Sequence, residues 1–453
     1  MKAPLPLLLC LALAPSLVSS SCLAQDASAF ITSELPSLVT TYKALHSHPE
    51  LSHYEAQTSA LLADALRKAG YTVTDHLGVY PDGTKAFGVV GMLKNGPGPT
   101  LLIRADMDAL PVIEETGVHY ASHVVTKNKS GQETGVMHAC GHDVHTTVLI
   151  GTARALAAAK NQWHGTLMLV GQPSEETIDG AKAMLADHLY ERFGTPDMVI
   201  GLHDTNLHAA GTVGLTSGPA MASSTSVDVT IRGIGSHGAL PQVGRDPVVL
   251  AAMFIMDLQT IVSREQDPRD PTVVTVGDIH GGTKRNIIPD EVKLELTTRA
   301  FSEKSRKITL DGIRQMAAGV ALSAGLPPEK APTVNVLEAE STPVLVNDPA
   351  LSTRVRAALV KAIGASNVFD DQPSTGSEDV GIFGGLGNPG SAAHPIPTSY
   401  YWLGAMYPDR FAAAEAAGKP LPGPHNSHFE PDPEPTLETG VRTMTGVALS
   451  LLQ

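Results

Sequence analysis

Cysteine is scarce in this chain, with only Cys10, Cys22 and Cys140 among 453 residues. Runs of lysine and arginine are missing as well, and 32 basic residues against 46 acidic ones leave a formal charge of −14. Without a basic surface the chain lacks the usual electrostatic grip on phosphate backbones, so nucleic acid is not an expected partner. No internal repeat or low-complexity tract is seen. The apolar run at the start, Leu5 to Leu13, is too short and too interrupted by proline to span a bilayer. What remains is ordinary globular material, 42% hydrophobic and 17% charged. It is too long for one hydrophobic core, and two domains are the first expectation.

The opening "MKAPLPLLLCLALAPSLVSSSCLAQ" has one early cation, Lys2, then the apolar run, then small residues before Gln25. It reads as an export signal over 1–24, and a periplasmic or secreted protein is expected. Cleavage after Ala24 fits the small-x-small rule loosely through Cys22. Lipid attachment at Cys22 is the weaker alternative, because Ser19 is a poor match three residues before it. Export sharpens the cysteine count. An oxidising compartment invites disulfides, yet a mature chain would keep Cys140 alone, so that thiol must be buried or bound to something such as a metal.

After the leader, residues 27–70 read as two helices separated by "ALHSHPELSHYE", with Gly70 ending the second. Short continuous apolar runs follow at "TLLIRA" (100–105), "TLMLVG" (166–171) and "DMVIGL" (197–202), the pattern of buried strands. An alanine-rich helix, roughly Asp143 to Lys160, lies between the first two. From about 222 the texture changes to alternation: Val227, Val229 and Ile231 in one strand, Val292, Leu294 and Leu296 in another. Asp246 and Pro247 cap a helix between them, with Ala251, Phe254, Ile255, Leu258 and Ile261 on one face. A second helix spans 303–324. Strand, helix, two strands, helix, strand is a split βαβ order. The expected organisation is an α/β domain over 25–221 and 338–453, with a smaller βαββαβ domain over 222–337 inserted into it.

Polar clusters follow the buried runs: Asp106 and Asp108, then Glu175 and Glu176, then His203. In an open α/β sheet the carboxyl ends of strands are where ligands bind. The stretch "HACGHDVHTT" (138–147) leads into the helix joining the first two of these strands. Gly141 interrupts it and lets Cys140 and His142 face one point. Thiolate, imidazole and carboxylate are ligands for zinc-like ions, and a neighbouring carboxylate that is not itself a ligand can move a proton. Two adjacent glutamates suit that division. Taken singly, each His or Glu is a common solvated residue, and His138 with His142 lacks the Glu of the helical protease motif. An unpaired exported cysteine together with clusters at three strand ends is much harder to assign to chance.

The ordered motifs "LHSHPELS", "RADMDALP", "HACGHD", "GQPSEE", "GLH", "GSHGALP", "NIIPD" and "GSED" resemble those of the dinuclear metallo-amidohydrolases. These include hippurate hydrolases, indole-acetyl-amino-acid hydrolases, N-acyl-amino-acid deacylases and related carboxypeptidases. The resemblance implies a zinc-peptidase-like catalytic domain with a ferredoxin-like lid and dimerisation domain inserted. It implies two divalent metal ions, Zn, Mn, Co or Ni, held by Cys140 as the bridge, His142, Glu176, His203 and His425, with Glu175 as general base. His425 is preferred to His428 by its spacing to Phe429 in "HNSHF". The resemblance further gives His237 the scissile carbonyl, reached in some members across a dimer. Asn286 and Arg299 would bind substrate, the arginine through the bidentate carboxylate geometry a lysine lacks. Asp108 and Asp143 would orient ligand imidazoles. Three departures from the family pattern are expected near the substrate: "LHDTN" where proline is usual, Val380 in place of an aromatic, and Gln242 where histidine often stands.

The activity implied is hydrolysis of the amide in an N-acyl amino acid, with carboxypeptidase or dipeptidase action on short peptides as the alternative. Two rivals come from other classes. "GIGSHG" (233–238) satisfies G-x-G-x-x-G after a strand, but Pro241, Gly244 and Pro247 stop a helix from starting there to meet a pyrophosphate. A metal- or ligand-binding protein without turnover is the other, and Glu175 beside Glu176 argues against it.

Overall fold

The computed structural model describes residues 19–127, 131–385 and 395–453. Residues 1–18 of the expected leader therefore lie outside the described residues. The chain begins with helices α1 (Ser19–Ser47) and α2 (Ala56–Lys68), then strands β1 (Thr72–Val79), β2 (Lys85–Asn95) and β3 (Thr100–Asp106). Helix α3 (His142–Ala158) leads to β4 (Gly165–Gln172), β5 (Met198–Ala209) and β6 (Val213–Leu215). The break between α1 and α2 falls on "HPELSHY", and Gly70 follows α2 in the left-handed region at φ 89°, as a helix stop requires.

The next segment builds its own sheet: β7 (Ser223–Arg232), α4 (Pro247–Thr260), β8 (Thr272–Gly281), β9 (Glu291–Ala300), α5 (Glu303–Ser323) and β10 (Thr333–Thr342). The chain then returns through α6 (Pro349–Ile363), β11 (Val368–Asp370), β12 (Thr398–Met406) and α7 (Pro433–Leu451).

The eight-stranded sheet has the order β1-β2-β4-β3-β5-β12-β6-β11. Its centre is parallel, β4 with β3, β3 with β5 and β5 with β12, and both faces are covered, which explains the continuous apolar runs. On one face Leu101, Ile103, Leu167, Leu169, Ile200 and Leu403 pack against α1, α2, α3, α6 and α7. On the other, Leu102, Met168, Val170, Val199 and Tyr400 form a second core. Trp163, 1% exposed, closes the first core and donates its indole N–H to the Leu156 carbonyl at 2.9 Å.

The smaller sheet is antiparallel throughout, with order β8-β9-β7-β10. That is the ferredoxin-like arrangement. Val227, Val229 and Ile231 meet Val292, Leu294 and Leu296 and are capped by Phe254, Leu258, Ile261 and Ile313. The Asp246 carboxylate accepts from the Val248 amide at 2.9 Å, so the expected N-cap of α4 is present. The last strand runs through Thr342, past the expected boundary at 337. Ser224 and Thr342 are partners in register, and the Ser224 amide donates to Thr342 Oγ1 at 3.1 Å. The chain thus leaves and re-enters the large domain at neighbouring points.

Candidate metal centre

Three parallel strands carry chemistry to one edge of the large sheet. β3 ends at Asp106 and leads to Asp108. β4 ends at Gln172 and leads into the turn holding Glu175 and Glu176. β5 carries His203 within its length, because no proline stops the strand there. Cys140 and His142 enter from the loop before α3. Gly141 between them has φ 78°, and a Cβ there would lie 2.1 Å from an Asp204 oxygen, so a side chain is excluded where the backbone turns.

Two groups of side chains converge, and Cys140 belongs to both. The donor atoms of Cys140, His142 and His203 lie within 4.8 Å of one another, and so do those of Cys140, Glu176 and His425. Cys140 Sγ is 3.4 Å from His203 Nε2, and His425 Nε2 is 3.4 Å from Glu176 Oε2. His142 Nε2 stands 3.9 Å from Glu176 Oε1 and 4.0 Å from Glu175 Oε2. His428 points elsewhere, 3.8 Å from Glu115.

Both ring nitrogens of His142 and Oε1 of Glu176 are buried with no hydrogen-bond partner among the described residues. Buried polar atoms are almost always paired, so these orphans ask for a ligand. A sulfur, three imidazoles and a carboxylate aimed inward are the donor set of a divalent-cation site. Burial pushes the Cys140 thiol well above its ordinary range, a state that bound cations would reverse. Burial, then Glu378, Glu176 and Asp379, push the Glu175 carboxyl well up. For His142 burial opposes the charge, but Asp106, Cys140 and Asp108 outweigh it and hold the imidazole well above its usual value.

A layer of fixed groups surrounds these donors. Asp108 accepts from the Glu175 amide at 3.1 Å, the Glu176 amide at 3.0 Å and the Ser52 hydroxyl at 2.6 Å. Its Oδ1 also lies 3.3 Å from His142 Nδ1, as an ion-pair contact without hydrogen-bond alignment. His203 donates from Nδ1 to the Asp204 carbonyl at 2.6 Å, which leaves Nε2 free to face Cys140. His145, one turn along α3, bridges Asp106 at 2.5 Å and Asp204 at 3.2 Å.

Asp143 departs from the expectation. Its carboxylate turns away from the ligand imidazoles and meets His46 Nδ1 at 2.7 Å, because the start of α3 packs against α1 at that point. Glu114 holds the other His46 nitrogen at 3.1 Å. Glu55, fully buried, is a second finding that sequence reasoning missed. Its Oε1 accepts from the amides of His53 and Ser174 and from the Ser174 hydroxyl, fixing Ser174 at φ 54° one residue before Glu175. The partners are 119 positions apart, so no local spacing could reveal them. Arg104 was missed too. This fully buried guanidinium donates to Asp106 at 2.6 Å, Asp379 at 2.8 Å and the Gln172 side chain at 2.8 Å, and lies 2.8 Å from Glu378.

The substrate-binding candidates fall in two places. His237 is exposed in a two-residue ladder, with His237 opposite Ile287. It lines an open cleft with Asn286, Lys284, Ser236 and Asp290 that belongs to the inserted domain alone. Arg299 instead reaches the large domain and donates to Ser377 Oγ at 3.0 Å. Of the three departures expected near the substrate, Val380 is corrected. It is fully buried in the second core against Gly201, because the short helix Asp379–Ile382 turns it inward. Gln242 is exposed in the inserted domain, and Asp204 sits under the donor cluster.

The family model described as peptidase family M20/M25/M40 matches residues 102–449. The chain belongs to peptidase family M20/M25/M40. Within the family it is 37% identical over 350 residues to the N-acetyl-L-cysteine deacetylase of Bacillus subtilis, covering 76% of this chain and 77% of the relative. It is 35% identical over 341 residues to the hippurate hydrolase of Campylobacter jejuni, covering 75% and 82%. Among solved structures, a dinuclear metal binding M20 peptidase from Bacillus subtilis superposes with a TM-score of 0.71 at 27% identity, covering 94% of this chain and 99% of that one. The chain is a metal-dependent amidohydrolase of this M20 type.

Proposed function

We propose that the protein hydrolyses the amide bond of N-acyl amino acids after export. The observation that carries this reading is one sulfur, Cys140, shared by two converging donor groups, with Glu175 beside them. In this proposal Cys140, His142 and His203 would hold one cation, and Cys140, Glu176 and His425 the other. Two divalent ions there would supply Lewis acidity and lower the pKa of water from 15.7 toward ~7.

Glu175 is 4.0 Å from His142 Nε2, and among the described residues its carboxylate accepts no backbone hydrogen bond. It takes a proton from the attacking water and returns it to the leaving amine. Arg299 has no carboxylate partner among the described residues and is half-buried, which lowers its pKa; a substrate carboxylate would supply the missing charge. His237 and Asn286 contact the scissile carbonyl and the substrate in this scheme. Their cleft contains none of the donor residues, which favours delivery by a second copy.

Such a dimer would seat on the inserted domain. Val248, Val249, Met253 and Met256 leave the outer face of α4 apolar, with Met256 70% exposed, and β8 is an edge strand. Export is supported by the composition of 1–24 alone, and cell fractionation tests it. The activity is tested by metal analysis with a screen of N-acetyl, N-benzoyl and dipeptide substrates, with and without chelator. Two metals per chain and chelator-sensitive release of an amino acid are expected. Release from dipeptides only would turn the reading to peptidase, and no release from any substrate would end it.

A further inference from the structure

Strand β12 alternates its side chains between the two faces of the large sheet. Tyr401 and Leu403 enter the first core, while Tyr400 and Trp402 face the other way. Parallel pairing places Trp402 in register with His203 of β5, on the same face. The two rings stand 5.6 Å apart between centroids, inclined at 51°. On the other side the Tyr400 ring is 6.4 Å away at 72°, and its hydroxyl donates to Glu378 Oε2 at 2.6 Å.

The chain has two tryptophans, and they are treated differently. Trp163 is buried with its N–H paired, as an indole in a core normally is. Trp402 is only half-buried, and its N–H has no partner among the described residues. A large apolar face and a spare donor are thus left beside a donor imidazole, at the edge where the reaction would occur. An aromatic surface of this kind gains most from another planar ring.

We infer that Trp402 is a specificity-determining residue that forms the wall for the acyl group and selects aromatic acyl chains. The inference rests on the N-acyl amino acid reading above. The assignment to the acyl side follows from the remaining groups. Arg299, given the substrate carboxylate, donates to Ser377, next to Glu378, which Arg104 joins to Asp106; Asp106 lies 3.7 Å from His142 Nε2, itself 4.0 Å from Glu175. The amino-acid half of the substrate is therefore drawn toward Ser377 and Glu175, and the acyl half is left toward His203 and Trp402.

The test compares kcat/KM for the N-benzoyl and N-acetyl derivatives of one amino acid in wild type, Trp402→Leu and Trp402→Phe, all loaded with metal. Loss of the ring should lower the benzoyl-to-acetyl ratio about tenfold in the leucine variant, and phenylalanine should restore most of it. A second arm follows tryptophan fluorescence of the metal-loaded Glu175→Gln enzyme during titration with each derivative. Because Trp163 is sealed in the core, a change with the benzoyl compound that exceeds the acetyl one and vanishes with Trp402→Leu supports the inference. An unchanged ratio while wild type cleaves both compounds overturns it and leaves the proposed activity standing. If wild type cleaves neither, the activity fails, and the fluorescence arm alone decides: no benzoyl-dependent change overturns the role of Trp402.

Discussion

His46 holds a positive charge far from water. Burial opposes that charge, yet Asp143 and Glu114 raise its pKa from 6.5 to about 10. The sign of the pH effect follows. A histidine whose pKa rises on folding adds stability that is complete below about 6.5 and is lost as pH climbs through 10. Urea melts between pH 6 and 10.5 should show the midpoint falling across that window, and a flat profile would contradict the assignment. His46→Ala leaves two buried carboxylates without their shared partner and should cost about 3–5 kcal/mol. At the reaction centre, Glu175→Gln should keep both metals, by elemental analysis, while kcat falls about 10²–10⁴-fold. Retained turnover would remove Glu175 as the base. These two residues also differ in legibility. Glu175 stands in a motif that sequence reading could quote, whereas His46 was seen only as part of a helix break, because its partners come from two other segments.

At the scale of elements, the turn after β4 is held by carboxylates from elsewhere in the chain. Three consecutive amides, of Ser174, Glu175 and Glu176, donate to Glu55 and Asp108. Glu55→Ala leaves the buried Ser174 amide without its acceptor, while the His53 amide and Ser174 hydroxyl keep other partners, and should lower stability by about 1–3 kcal/mol. It should also lower kcat, since Glu175 and Glu176 ride on that turn; thermal melts and steady-state rates check both effects. The strands, α3 and the α4 cap were legible because each depends on local patterns: apolar runs, a glycine break, an aspartate before a proline. Val380 was not, since a motif fixes the order of residues and says nothing of which way a short helix turns each one. Asp143 escaped for the same reason. Its neighbour His142 points into the donor cluster, and one step along a helix rotates a side chain by about 100°.

For the whole molecule, the order of elements was enough to expect an inserted split βαβ domain, because alternation at 227–231 and 292–296 differs so plainly from the buried runs around it. A surface for the proposed dimer was not legible, as surface pairing leaves no period in a sequence. The exposed face of α4 makes the proposed dimer testable. Replacing Met253 and Met256 by lysine should leave the fold intact by circular dichroism and shift sedimentation from dimer to monomer. A monomeric wild type, or a dimer that survives both changes, would reject that interface.

Ser224 and Thr342 face each other where the inserted domain joins the large one, and this proximity has a practical meaning. An excursion of more than a hundred residues begins and ends within one strand spacing, about 4.8 Å. Excising it and sealing the cut with a tight turn would ask little of the remaining scaffold. The inserted domain is in this sense a plug-in unit, attached to the large one at two adjoining positions.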